Sequence, residues 1–77
     1  MSGFESQSAY MAKYKVGDQI EVTQFVRKGV EYAGRRGFVE IVETRGRYTV
    51  LLFKSVYNGI SMPECTIDVR EINIRKV

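Results

Sequence analysis

The sequence predicts an all-β domain, a very small barrel whose loops rather than its core carry function. Three observations point there. Gly34-Arg35-Arg36-Gly37 sets two glycines around an arginine pair immediately before the β-rich run Phe38-Val39-Glu40-Ile41-Val42. Strand-like alternation lies on both sides of it, in Ile20-Glu21-Val22 and in Tyr48 to Phe53. No stretch repeats its apolar residues at the helical period.

Taken in order, residues 1–12 read as a polar, Ser-rich N-terminal tail, and residues 13–77 as the domain. Val16-Gly17-Asp18 is a turn into the first strand, where Ile20 and Val22 alternate with Gln19, Glu21 and Thr23. Two adjacent apolar residues, Phe25-Val26, break that alternation and predict a bulge or bend. The polar stretch Arg27 to Arg36 reads as a twisted loop with local pairing, because Val30 and Tyr32 alternate within it. Gly34 and Gly37 are expected where the backbone turns hard, since glycine reaches positive φ without steric cost. The second strand runs from Gly37 to Glu43. Thr44-Arg45-Gly46-Arg47 is a tight hairpin turn with Gly46 at positive φ.

Tyr48 to Phe53 is the third strand, apolar on both faces at its end and therefore interior to the sheet. Lys54 to Pro63 reads as a loop containing an Asn58-Gly59 turn. A short fourth strand follows at Glu64 to Ile67, then a single 3₁₀ turn at Asp68 to Glu71, then a fifth strand at Ile72 to Val77. Five short strands with a 3₁₀ turn before the last describe an SH3-like barrel, in which closure of the sheet removes exposed edges. Phe25, Phe38, Leu52 and Phe53 are its expected core aromatics and aliphatics.

Composition bounds the chemistry. The chain has 77 residues, enough for one domain, and a formal net charge of +3. Its charge is uneven: between Gln24 and Lys54 lie seven basic residues against three acidic ones. There is no histidine, so a His base, a Ser-His-Asp triad and a His metal ligand are all excluded. The one cysteine, Cys65, excludes an internal disulfide and reads as a small core hydrophobe. Glu40 and Glu43 fall on opposite faces of a strand, which leaves no carboxylate pair for acid–base work. A phosphate-cradling loop needs a Lys-Ser/Thr pair and a following helix, and Gly34 to Val42 has neither. The expectation is therefore a non-enzymatic binding module with no cofactor, no metal and no small-molecule substrate. No apolar run approaches the length of a membrane span and the N-terminus lacks a basic-then-apolar pattern, so a cytoplasmic location is expected.

Gly34-x-x-Gly37-x-Val39-x-x-Val42, led by Gly17-Asp18-x-Ile20-x-Val22, resembles the KOW motif in SH3-like domains of transcription elongation factors and ribosomal proteins. The resemblance covers Val16 to Phe53 and implies association with nucleic acid or with a transcription or translation complex. A weaker resemblance, through Arg47-Tyr48-Thr49-Val50, Tyr57-Asn58-Gly59 and Ile67 to Ile72, is to the SH3-like accessory subunit of photosystem I, which implies a docking role without a cofactor. Plasmid-type dihydrofolate reductase is a barrel of similar length, but Val39-Glu40-Ile41-Val42 lacks the Gln and Tyr of its active-site Val-Gln-Ile-Tyr stretch.

The candidate binding residues are Arg27, Lys28, Arg35, Arg36, Arg45 and Arg47 for phosphates or an acidic protein face, with Tyr32 and Tyr57 as stacking platforms. Tyr48 is a weaker third platform. The alternative is a protein–protein adaptor that docks on a larger complex through the same loops and one open barrel edge. A compact basic module of this size suits a phage or bacterial accessory protein.

Overall fold

The computed structural model describes residues 11–77, so the expected tail lies outside them except for Met11 and Ala12. Nine strands form, in chain order β1 (Gln19–Val22), β2 (Val26–Arg27), β3 (Val30–Glu31), β4 (Arg36–Val42), β5 (Arg47–Leu52), β6 (Ser55–Tyr57), β7 (Ile60–Met62), β8 (Cys65–Arg70) and β9 (Ile74–Lys76). Five of them make one antiparallel sheet in the order β8-β5-β4-β1-β9, and β2-β3 and β6-β7 form two separate hairpins. A 3₁₀ turn, Glu71–Asn73, joins β8 to β9.

The expected all-β class holds, but details differ: the 3₁₀ turn lies at Glu71–Asn73 rather than Asp68 to Glu71, and the last strand begins at Ile74 rather than Ile72. The sheet is open: β8 and β9 are its two edges and do not pair with each other. The 3₁₀ turn fills the corner between them, and its Asn73 carbonyl accepts from Thr23 N–H (2.7 Å) and Gln24 N–H (3.4 Å). Beside the gap a tyrosine links β5 to β9. The Tyr14 ring meets the Tyr48 ring of β5 edge-on at 5.4 Å, and its hydroxyl donates to the Ile74 carbonyl of β9 at 3.3 Å. The two regions read as loops, Arg27 to Arg36 and Lys54 to Pro63, both contain hairpins. Their turns, Lys28-Gly29 and Asn58-Gly59, have φ of 51° and 78°, and 52° and 77°. Two successive positive φ values make the type I′ turn that matches strand twist. Asn-Gly advertises that turn, whereas Lys in the left-handed region does not.

The core is built from alternate residues of the five strands. Ile20, Val22, Val39, Tyr48, Val50, Leu52, Ile67, Val69 and Ile74 are buried, together with Tyr14. Each contributes on the order of 1.5–3 kcal/mol through its apolar surface. Tyr48 is also the polar centre of the core. Its hydroxyl accepts from the Lys13 and Tyr14 N–H groups (3.1 and 3.3 Å) and donates to Glu71 Oε2 (2.9 Å).

Of the expected core residues only Leu52 is fully buried. Phe25 is half-buried against Tyr32, while Phe38 and Phe53 meet on the outer face with centroids 6.1 Å apart. Gly37 and Val39 take the inward positions of β4, so strict alternation sends Phe38 outward. Glu40 is then an extra residue: the register passes from Val39↔Val50 to Ile41↔Thr49, which puts a bulge in β4 and directs Ile41 to solvent.

The glycine pair also divides its roles. Gly34 has φ +92°, as expected. Gly37 does not adopt positive φ; it is required by contact, because a Cβ there would lie 1.9 Å from the Leu51 carbonyl oxygen and 2.8 Å from Leu52 Cα. Backbone on the neighbouring strand cannot swing aside as a side chain does. Gly37→Ala is expected to abolish the cooperative urea transition or to cost at least 3 kcal/mol, at or above the ~1–3 kcal/mol usual for overpacking. Gly34→Ala, with open space at its Cβ, is expected to cost about 1–3 kcal/mol from backbone strain alone. Equal losses at the two positions would contradict the close-approach role.

Candidate binding surfaces at the two ends of the central strands

The antiparallel pairing of β4 with β5 sorts the predicted cations into separate places. Arg36 begins β4 and lies beside the end of β5, where Phe53 N–H donates to the Arg36 carbonyl at 2.8 Å. Arg45 and Arg47 lie at the far end, in and after the turn closed by Arg47 N–H to the Thr44 carbonyl at 2.9 Å. Gly46 takes φ 71° at the third position of that turn, as the sequence predicts. A strand the length of β4 separates the two ends by about 20 Å. The seven basic residues of the central segment therefore do not make one patch.

Arg35, read from sequence as a displayed guanidinium, is half-buried and engaged. Its Nη2 donates to the carbonyls of Phe53 and Pro63, both at 2.9 Å, and its Nη1 lies 4.0 Å from Cys65 Sγ. Phe53 and Pro63 flank the β6-β7 hairpin on its two sides, so one planar guanidinium clamps the base of that hairpin. Cys65 is half-buried against the core, in line with its expected apolar role.

Arg36 remains exposed and lies 3.9 Å from Glu21, which Arg75 approaches more closely, at 2.5 Å. Exposed pairs of this kind contribute about 0–1 kcal/mol and do not hold Arg36 away from a ligand. Arg27 and Lys28 occupy the tip of the β2-β3 hairpin. Arg27, Lys28, Arg47 and Lys54 have no ion pair with any described residue. Tyr32 is half-buried, packs edge-on against Phe25 at 5.5 Å, and donates its N–H to the Phe25 carbonyl. Tyr48 is buried and cannot act as a platform. Tyr57 is 70% exposed, on β6.

Two concave surfaces result. A groove of about 630 Å³ opens between residues 31–36 and the β6-β7 hairpin, lined by Arg35, Arg36, Phe53, Lys54, Val56, Tyr57 and Met62 among others. A shallower one of about 380 Å³ lies at the opposite end of β4 and β5, lined by Arg45, Gly46, Arg47, Arg70, Glu71 and Ile72. The structure thus joins Arg45 and Arg47 to a residue missed from the sequence, Arg70, which stands directly opposite Arg47 in the β5-β8 register. Its signal was present: Cys65, Ile67 and Val69 alternate, so β8 runs three residues beyond the expected end and carries Arg70 to the corner. Val56 and Met62 were missed because their hairpin was read as a loop.

No group of three or more His, Cys, Asp or Glu side chains gathers to hold a metal ion among the described residues. No helix among them is long and apolar enough to cross a membrane. Compared with family models, curated proteins and solved structures, the chain matches none.

The clamp gives a local prediction. Arg35→Met keeps an apolar stem but removes the N–H donors that hold the two carbonyls. Amide exchange in β6 and β7 is expected to accelerate about 5–20-fold, the loss of one or two hydrogen bonds, with protection in β4 and β5 unchanged. A uniform change across all strands would contradict a clamp confined to the hairpin.

Proposed function

We propose that the chain is a non-enzymatic binding module with SH3-like strand connectivity, and that it holds the phosphate backbone of nucleic acid at the Arg45-Arg47-Arg70 corner. The order β8-β5-β4-β1-β9, with a 3₁₀ turn before the last strand, is what supports the connectivity. Beside the open seam, Tyr14 links β5 to β9 through its ring contact with Tyr48 and its hydrogen bond to the Ile74 carbonyl.

One observation carries the nucleic-acid reading. Arg47 and Arg70 are exposed and paired across an antiparallel ladder. Like charges directly opposite each other destabilise a sheet. A small domain with a marginal core gains nothing from that pair unless an anion neutralises it. Of the nearby acids, Glu43 and Asp68 both approach the Thr49 hydroxyl, while Glu71 accepts from the Tyr48 hydroxyl and lines the same surface as the arginines. A third arginine, Arg45, sits in the adjoining turn, and guanidinium groups recognise phosphate oxygens in a fork geometry. The KOW-like pattern supports the same reading.

Three phosphate contacts on a duplex give a slope of about −2.7 for log affinity against log salt, or roughly 40-fold weaker binding at 200 mM than at 50 mM salt. Fluorescence anisotropy with a labelled duplex and a labelled single strand is expected to show this steep dependence. Arg47→Gln and Arg70→Gln are each expected to flatten the slope by about one. No binding at 50 mM salt, or a slope indifferent to both substitutions, would overturn the proposal.

A further inference from the structure

We infer that the groove between residues 31–36 and the β6-β7 hairpin docks a short acidic and apolar segment of a partner protein. The inference is independent of the arginine corner, since it rests on the other end of the central strands.

The hairpin exposes several apolar side chains close together. Val56, Tyr57 and Ile60 are 69%, 70% and 63% exposed, within five residues of one another. Val56 and Tyr57 line the groove with Phe53 and Met62. Clustered apolar exposure of this kind marks an association surface. Val56 and Met62 in that wall have no π face on which a base can stack, which favours a protein over a nucleic acid. Each strand of the hairpin pairs only with the other, which leaves backbone groups on both outer edges for an extended partner.

Charge selects the partner's chemistry. Lys54 and Arg36 stand at the groove, and Lys54 has no ion pair with a described residue. The one acid lining it, Glu31, accepts the Ala33 N–H at 3.0 Å. A cationic edge around an apolar wall complements a large apolar side chain flanked by Asp or Glu. The same charges disfavour a second copy of this chain, because a two-fold contact would set the patch, cations included, against itself. The groove is also preformed: the Arg35 clamp fixes the hairpin base and the Asn58-Gly59 turn fixes its tip, so little ordering cost remains on binding.

The test is selection of random twelve-residue displayed peptides on the immobilised full chain, followed by affinity measurement with the selected peptides. Enrichment of Leu, Ile, Phe or Trp beside Asp or Glu is expected. Val56→Ser is expected to weaken those peptides at least tenfold. Lys54→Glu is expected to weaken them at least fivefold, with recovery when the peptide's acid is exchanged for Lys. Both positions are exposed, and circular dichroism checks that each variant remains folded. Peptides that are basic, that show no consensus, or that ignore both substitutions would overturn the inference. So would sedimentation showing a dimer that Val56→Ser dissociates, or nucleic-acid binding that Val56→Ser abolishes while Arg47→Gln leaves it intact. Loss of the duplex-binding proposal alone would leave the peptide result standing.

Discussion

The approach of β4 to β5 at Gly37 is the constraint on which the rest of this structure depends. Only a residue without a side chain lets the Leu51–Leu52 backbone come so near. That contact starts the register Gly37↔Leu52, and the bulge at Glu40 shifts it before Val42↔Tyr48. Tyr48 is thereby carried into the core, and Arg47, one residue earlier, out to the surface opposite Arg70. The same ladder puts Phe53 and Lys54 beside Arg36 at its other end. Both concave surfaces are consequences of one pairing, and the length of the strands keeps them apart.

The open seam explains a second division of labour. Beside that seam, Tyr14 packs into the core from outside the strands and links β5 to β9. Its ring covers Tyr48 and its hydroxyl reaches Ile74, so the segment before β1 belongs to the core. The buried Tyr48 hydroxyl is satisfied by two amides and one carboxylate, as a polar group in an apolar interior must be. Glu71 thus ties the core to the corner beside it, where Arg45, Arg47 and Arg70 gather around one glutamate.

Much of the fold was legible in the residues. Alternation located β1, β4, β5 and β9 and Gly46 located the central turn, whereas the 3₁₀ turn starts at Glu71, after Asp68 to Arg70 have continued β8. The site was less legible, for physical reasons that differ by residue. Arg35 and Arg36 are neighbours of identical type, yet one clamps a hairpin and the other faces solvent. Chain order cannot separate them, because the partners of Arg35 lie at Phe53 and Pro63. Lys28-Gly29 hides a type I′ turn because lysine seldom takes positive φ. Val56 and Ile60 flank an Asn-Gly pair as hairpin residues do, but Ser55, Ser61 and Pro63 give the segment the composition of a loop. Gly37 was recognised as special for the wrong reason: its role is proximity, which depends on a strand fourteen residues away.

The two proposed surfaces lie at opposite ends of one ladder. The most direct measurement is the affinity of a labelled duplex for the chain, with and without a saturating groove peptide, at fixed salt. Two separate surfaces predict that the duplex affinity changes by less than about twofold and that a ternary complex sediments as one species. Displacement of the duplex by the peptide would contradict the account.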